Sequence, residues 1–277
     1  MRWRLSVALI WLASASLADP LTFVRNISLE GLGGLSAIEV ESGGNPALVL
    51  SDRGMGYRFV ITRAGDTGRI IDPVLVRLPH PRRDTEGLAT SPEGTFYSYE
   101  RPGRVSRDTG EAIPSHPDFA THHRNGSLEA LAAAPDGTLY TLPEQSEDAE
   151  DPFPIYRYSN EIWEIIGYLP RQGSFLPTGA DIGPDGLLYI LERAFSPLGF
   201  RSRIRRLDPQ ALSAGVRTLL TTGPGQHDNL EGISVWRSDS GATCLSMVSD
   251  DNFFAIQNSE LVEYALTVTL AGGASCD

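Results

Sequence analysis

Apolar residues along the chain fall in short runs of about four to eight, separated by clusters of Gly, Pro and Asp. Some runs alternate apolar with polar positions and others are continuous. No long stretch carries the 3.6-residue spacing of an amphipathic helix. The pattern predicts a chain of short β-strands.

These strands form a repeat. Five segments align, at residues 34–53, 86–101, 129–144, 178–193 and 231–251. Each opens on an apolar strand, turns, and returns through a second apolar strand to an acidic residue. Pro92-Glu93-Gly94, Pro135-Asp136-Gly137 and Pro184-Asp185-Gly186 are tight-turn triplets, with Pro fixing φ and Gly taking φ > 0. The position held by Gly34, Gly87, Ala130, Gly179 and Gly232 recurs after 53, 43, 49 and 53 residues. That period fits a four-stranded propeller blade. Runs at 57–62, 74–78, 103–107, 155–158, 161–168, 202–207, 216–221 and 261–268 supply outer strands. The fifth unit lacks its outermost strand, and residues 21–29 are available for it, which would close the ring and remove exposed edges. The expected fold is all-β: a single five-bladed propeller over residues 19–277. Six blades is the alternative, if one long interval holds a degenerate blade.

Composition sets the compartment. Met1-Arg2-Trp3-Arg4 is a basic start, residues 5–17 are apolar, and Ser16-Leu17-Ala18 is a small-x-small cleavage site. Residues 1–18 read as a secretory signal peptide. No later run is long enough for a membrane span, and no Cys follows the leader to carry a lipid. The protein is expected to be exported, periplasmic or extracellular, with no transmembrane segment and as a monomer. The formal net charge is −12, and removing the leader takes away only Arg2 and Arg4. So acidic a surface repels nucleic acid and suits cations, or a metal that recruits anions. There is no Lys, which excludes P-loop and Schiff-base chemistry. Cys244 and Cys276 are expected to form a disulfide pinning the tail to the last blade, with two unpaired thiols as the alternative. His116, His122 and His123 lie in one insertion without carboxylate or Cys at a metal-like spacing, so a surface role is expected there. Residues 145–154 form an acidic insertion, and Asn26 and Asn125 sit in glycosylation sequons.

Hairpin geometry gathers the acidic ends. The innermost strand of a blade crosses from one face to the other and the second returns. The start of the first and the end of the second therefore share a face near the channel. Glu86, Glu129 and Glu231 hold the first position; Asp52, Glu100, Glu144, Glu192 and Asp250 hold the second, with Asp228, Asp251 and Asp181 close by. Crowded carboxylates are costly unless a positive group joins them. Ca²⁺ is one such partner, being hard and tolerant of irregular oxygen ligation. Arg is the other: Arg53, Arg101 and Arg193 each directly follow an acidic residue and could hold an anionic substrate bidentately. The expected metal ligands are Asp52, Glu86, Glu129, Glu231, Asp228, Asp250 and Asp251. His227, Asp228 and Glu231 are the candidate catalytic residues of the densest repeat. The competing structural reading is a set of blade-to-blade hydrogen bonds and ion pairs. No Gly-x-Ser-x-Gly, His-Glu-x-x-His or Gly-x-Gly-x-x-Gly motif occurs.

The combined motifs Gly-Leu-Ser-Ala-Ile (34–38), Ser-Asp-Arg-Gly (51–54), Asp-Thr-Glu-Gly-Leu (84–88), Gly-Ala-Asp-Ile-Gly-Pro-Asp-Gly (179–186), His-Asp-Asn-Leu-Glu-Gly (227–232) and Ser-Asp-Asp-Asn-Phe (249–253) resemble the phytase-like propeller family. That family is described as having esterase-like activity of phytase. The resemblance runs from about residue 33 to 264. It implies an exported propeller hydrolysing a phosphoester or ester, with calcium held by acidic residues and basic residues gripping phosphate. The chain departs from six-bladed phytases in showing five repeats, in having no Lys, and in carrying Thr178 where the fourth repeat would carry Glu. The expected function is Ca²⁺-dependent hydrolysis of a small anionic or phosphorylated substrate at the acidic mouth. The alternatives are a non-catalytic ligand- or protein-binding propeller of the cell envelope, and a lactonase-like propeller with one metal.

Overall fold

The computed structural model describes residues 21–80, 84–100, 102–120, 128–146, 148, 150–254, 256–267 and 275–277. The expected leader, Arg101, His122, His123 and Asn125 lie outside the described residues. Five antiparallel sheets follow one another around a channel. The first holds β2 (Leu35–Val40), β3 (Ala47–Ser51), β4 (Met55–Ala64) and β5 (Thr67–Val76). The second holds β6 (Thr85–Ser91), β7 (Gly94–Tyr99) and β8 (Arg104–Arg107). The third holds β9 (Ala130–Ala133), β10 (Leu139–Leu142), β11 (Phe153–Ser159) and β12 (Ile162–Leu169). The fourth holds β13 (Leu176–Ile182), β14 (Leu188–Ser196), β15 (Gly199–Leu207) and β16 (Arg217–Thr221). The fifth holds β17 (Asn229–Arg237), β18 (Thr243–Asp250) and β19 (Glu260–Leu266), and its fourth strand is β1 (Leu21–Ser28). The molecule is a five-bladed propeller closed by its N-terminal strand.

The inner strands β2, β6, β9, β13 and β17 touch in ring order. Their packing explains the recurring small residue. A Cβ on Gly232 would lie 2.7 Å from Ala37 Cα, one on Gly179 would lie 2.6 Å from the Glu231 carbonyl, and one on Gly87 would lie 2.7 Å from Leu131 Cβ. Neighbouring inner strands meet backbone to backbone at Gly179 and Gly232, and Gly87 packs against the Leu131 and Ser98 side chains. The position in the first blade is Ala37 and not Gly34, because the hairpin registers place a bulge at Ser36 as they do at Thr178 and Glu231. Gly34 has its own reason: its φ is +66° and its backbone turns beside Asp52 and Phe253.

Burial follows the layers. β2 and β17 are buried along almost their whole length, since both faces meet another blade, whereas β5 is mostly exposed. Five apolar clusters each fill the gap between two adjacent blades; Val40, Phe59 and Trp236 pack between the first and fifth. Buried Arg25 on β1 lies 2.9 Å from Glu263 on β19, which also takes Arg63 from the first blade at 2.7 Å. Cys244 on β18 is disulfide-bonded to Cys276, and Arg25 donates to Asp277. The C-terminal residues are thus tied to the closing blade. The expected strand at 74–78 is instead β5 (Thr67–Val76), which begins right after β4 because the turn at Gly65 (φ +60°) closes a tight hairpin. No helix among the described residues is long and apolar enough to cross a membrane.

Candidate functional site

The channel mouth is built by two features of each hairpin. The first is the bulge at the start of the inner strand. A bulge adds one residue and re-aims its side chain; Ser36 and Glu86 line the channel in this way, and Glu129, just before β9, lines it beside them. The space left between the inner strands is about 10 Å³, the room of roughly one water. The second feature is the end of the returning strand. Asp250 pairs with Asn229, and Arg193 pairs with Leu176, two residues before the bulge in each blade. The same offset holds Asp52 and Glu100.

This register corrects one expectation. The fourth blade presents Arg193 at the mouth, not Glu192. Glu192 is fully buried inside its own blade and accepts from Arg203 (2.6 and 3.0 Å) and from Arg205 (2.7 Å). Arg193 lies among the acidic groups. It donates to Asn229 (2.7 Å), Glu231 (2.5 Å) and Glu144 (2.7 Å), bridging the third and fifth blades. Asp181 is also displaced from expectation. It lies at the far end of β13, where it accepts from Val235 N (2.6 Å) and Ile182 N (2.7 Å), near Glu39.

Burial and repulsion act together on the gathered carboxylates. Burial, then Glu129, Glu231 and Asp84, hold the Glu86 carboxyl well above the usual range. Burial, then Glu144 and Glu231, do the same to Glu129. Glu231 is pushed up to about 7 by burial, with Arg193 opposing the rise and Asp250 adding to it. Asp250 is raised to about 6, chiefly by burial, with Asp52 and Asp251 adding repulsion. Asp52 is raised as well, mostly by burial. Asp52, Glu86, Glu129, Glu231, Asp250 and Asp251 are therefore electrostatic neighbours.

Asp84, two residues before Glu86, joins this group although it lies just outside the aligned repeat at 86–101. One carboxylate oxygen each from Asp84, Glu86 and Glu100 lie within 4.8 Å of one another. All are hard oxygen donors on two adjacent strands, which suits a cation such as Ca²⁺ or Mg²⁺ rather than a soft metal. The signal was present: Asp84 stands where Asn229 stands in the fifth repeat, two residues before the bulge.

Asp250 and Asp251 also shape a loop. Asp250 accepts from Asn252 N (2.7 Å), and Asp251 from Gly34 N (2.9 Å) and Phe253 N (3.1 Å). These bonds hold Asn252 and Phe253 at φ of 46° and 54°, a left-handed backbone that side chains disfavour. The Arg53 guanidinium stacks on the Phe253 ring, 3.2 Å from its centroid.

His227 and Asp228 face away from this group. His227 Nε2 is 2.7 Å from the Tyr264 hydroxyl, and burial lowers its pKa. Asp228 accepts from Asn229 N, Gln257 Nε2 and Asn258 N, fixing the loop after β18. His116 packs against Tyr156 and Phe119 with Asp118 at 3.4 Å, a local structural contact.

Fold and site together define a five-bladed propeller with an acidic channel mouth. The model of the phytase-like family, described as "Esterase-like activity of phytase", matches residues 30–253. The chain belongs to that family. No curated protein matches it. Among solved structures, a protein of unknown function from Dyadobacter fermentans is 12% identical, with a TM-score of 0.46, covering 89% of this chain and 99% of its own. An α-L-arabinofuranosidase of Podospora anserina in complex with cellotriose is 11% identical, with a TM-score of 0.46, covering 89% and 97%.

Proposed function

We propose that the chain is an exported, calcium-dependent hydrolase of a small phosphoester or ester, acting at the acidic channel mouth. The observation that carries this reading is the convergence of Asp84, Glu86 and Glu100 beside Glu129, Glu231 and Asp250; the proton affinities of Glu86, Glu129, Glu231 and Asp250 are raised. Carboxylates in that state are poised to exchange protons for a divalent cation. Asp84, Glu86 and Glu100 would hold the ion, with Asp52, Glu129, Asp250 and Asp251 as further ligands. Bound calcium would polarise a phosphoryl or carbonyl oxygen and acidify an attacking water.

The remaining roles fall to this chain's own side chains. Glu231 is the better base than His227, because its carboxyl lies at the mouth and is pushed up to about 7, near neutral pH. Arg193 orients Glu231 and supplies a planar donor to an anionic substrate. Arg53 is exposed at the rim and could meet the same anion. The buried disulfide fits an oxidising compartment and supports export.

The test is turnover of phosphatase and esterase panels with Ca²⁺ and with chelator. Calcium-dependent hydrolysis that falls at least about 100-fold in Glu231→Gln is expected. Absence of turnover on every substrate in both conditions would overturn the reading. The Arg193 bridge favours a second reading, a non-catalytic binding propeller whose mouth is already neutralised in part. That reading expects calorimetric binding of Ca²⁺ without hydrolysis.

A further inference from the structure

The fourth blade departs from the others at the mouth. The position that ends the returning strand holds Asp52, Glu100, Glu144 and Asp250 in four blades and Arg193 in the fourth. The bulge of the fourth blade carries Thr178, whose hydroxyl donates to the Leu230 carbonyl (3.4 Å), where the second and fifth blades carry Glu86 and Glu231. Glu192 is held inside the blade by Arg203 and Arg205. The fourth blade therefore brings a positive charge to the mouth where its neighbours bring negative ones.

The oxygens around that charge are of the kind a hard cation takes. Arg193 Nη2 donates to Glu144 (2.7 Å), and Nη1 to Glu231 (2.5 Å) and to the side-chain carbonyl of Asn229 (2.7 Å). Asn229 donates in turn from Nδ2 to the same Glu231 oxygen (2.8 Å). Arg can only donate and a carboxylate can only accept, so the amide is fixed with its oxygen on the guanidinium. Two carboxylates and an amide carbonyl make a calcium-like ligand set. They come from the third and fifth blades, and the guanidinium spans the gap between them.

Arg193 holds these oxygens on favourable terms. A guanidinium stays charged at any working pH and its planar fork matches carboxylates. It is tethered to its blade, so no free ion has to be captured. Its side chain is only 23% exposed, which limits screening by water. The other half of the mouth is different in kind. There Asp84, Glu86 and Glu100 of the second blade bring three carboxylate oxygens within 4.8 Å of one another. Glu129 and Glu231 stand between the halves, since both act on Glu86 and on Arg193.

We infer that Arg193 is a built-in cation standing in the place of a second metal ion. The mouth then takes a single divalent cation, on the side of the second blade, and leaves Glu144, Glu231 and Asn229 to the arginine. The inference rests on the calcium reading for the bound ion and goes beyond it in fixing the count and the side. If the hydrolase reading holds as well, an anionic substrate would lie between one metal ion and one arginine.

Counting calcium on the full chain tests this without any turnover. The chelator-stripped protein is dialysed to equilibrium against Ca²⁺ at pH 8 in about 0.1 M KCl, which screens diffuse surface binding. Bound ions per chain are then counted by elemental mass spectrometry. The parent should take up a single ion. Arg193→Gln should take up a second, and Arg193→Lys, which keeps the charge, should not. Adding Glu144→Gln and Glu231→Gln to Arg193→Gln should remove the second ion and keep the first. Glu144→Gln alone, at a carboxylate assigned to the arginine, should leave the single ion bound with its affinity within about tenfold of the parent. The inference falls if the parent already holds two ions, if Arg193→Gln gains none or fails to fold even in Ca²⁺, if Arg193→Lys gains one, or if Glu144→Gln strips an ion from the parent. A parent that binds no calcium, with a single ion gained in Arg193→Gln, would keep this inference and remove the calcium site of the second blade.

Discussion

Arg193 holds two carboxylates from different blades, and its removal isolates both of them. Glu144 and Glu231 would then face each other with Glu129 nearby and no cation between them. Breaking a buried pair by deleting one partner costs about 3–5 kcal/mol. Arg193→Ala should therefore lower the urea midpoint sharply in chelator, and Ca²⁺ should recover part of the loss. Glu86→Gln should behave in the opposite sense. Burial and three neighbouring carboxylates disfavour the charged form of Glu86, so a neutral amide relieves repulsion. At pH 8 in chelator the variant should melt no lower than the parent, and its rise in Tm on adding Ca²⁺ should shrink. A normal calcium response in Glu86→Gln would remove Glu86 from the ligand set.

At the scale of the strand, the ring depends on small residues where inner strands touch. Gly232→Ala places a Cβ 2.7 Å from Ala37 Cα, which is backbone and cannot swing away. The expected loss is about 1–3 kcal/mol, the usual cost of overpacking, measured by denaturant unfolding. Gly241 makes the contrast. Nothing lies within 4 Å of its added Cβ, and its φ of +84° alone disfavours a side chain. If Gly232→Ala proved neutral, the blades would have to be less tightly apposed than their inner strands indicate. The same apposition explains why Glu86 and Glu231 sit at bulges: the extra residue can turn its side chain away from the neighbouring inner strand.

The whole molecule concentrates carboxylates at both ends of the channel, and its stability should follow their titration. Glu231 and Asp181 are pushed up to about 7 and Asp250 to about 6, while Glu39, Glu86 and Glu129 are also raised. Unfolded carboxyls titrate near 4. Between the two ranges the folded state binds more protons than the unfolded state, so stability falls as pH rises from about 4 to about 7. Calorimetry in chelator should show Tm declining from pH 5 to pH 8. Calcium should raise Tm more at pH 8 than at pH 5, because it competes with protons only at the lower pH. A Tm that rose with pH in chelator would refute this account.

Strand count, blade count and ring closure were legible in the chain because they rest on local information. Turn triplets at 92–94, 135–137 and 184–186, the small residue at the blade contact, and one spare N-terminal strand for one incomplete blade carry the architecture. Cys244 and Cys276 likewise lay where the last blade and the tail meet. Membership of the family was readable from the combined motifs. Which further side chains join Asp52, Glu86, Glu129, Glu231, Asp250 and Asp251 was not, because a one-residue register step decides whether a side chain faces the channel or the blade interior. That step put Arg193 in the mouth and buried Glu192 against Arg203 and Arg205. It also turned Asp228 and His227 towards a separate groove while Asn229 and Glu231 stayed in the ring. Sequence patterning reports the period of an element, which backbone chemistry imposes locally. The side chains that share a site are set by the pairing of strands distant in the chain, and only the closed ring decides that.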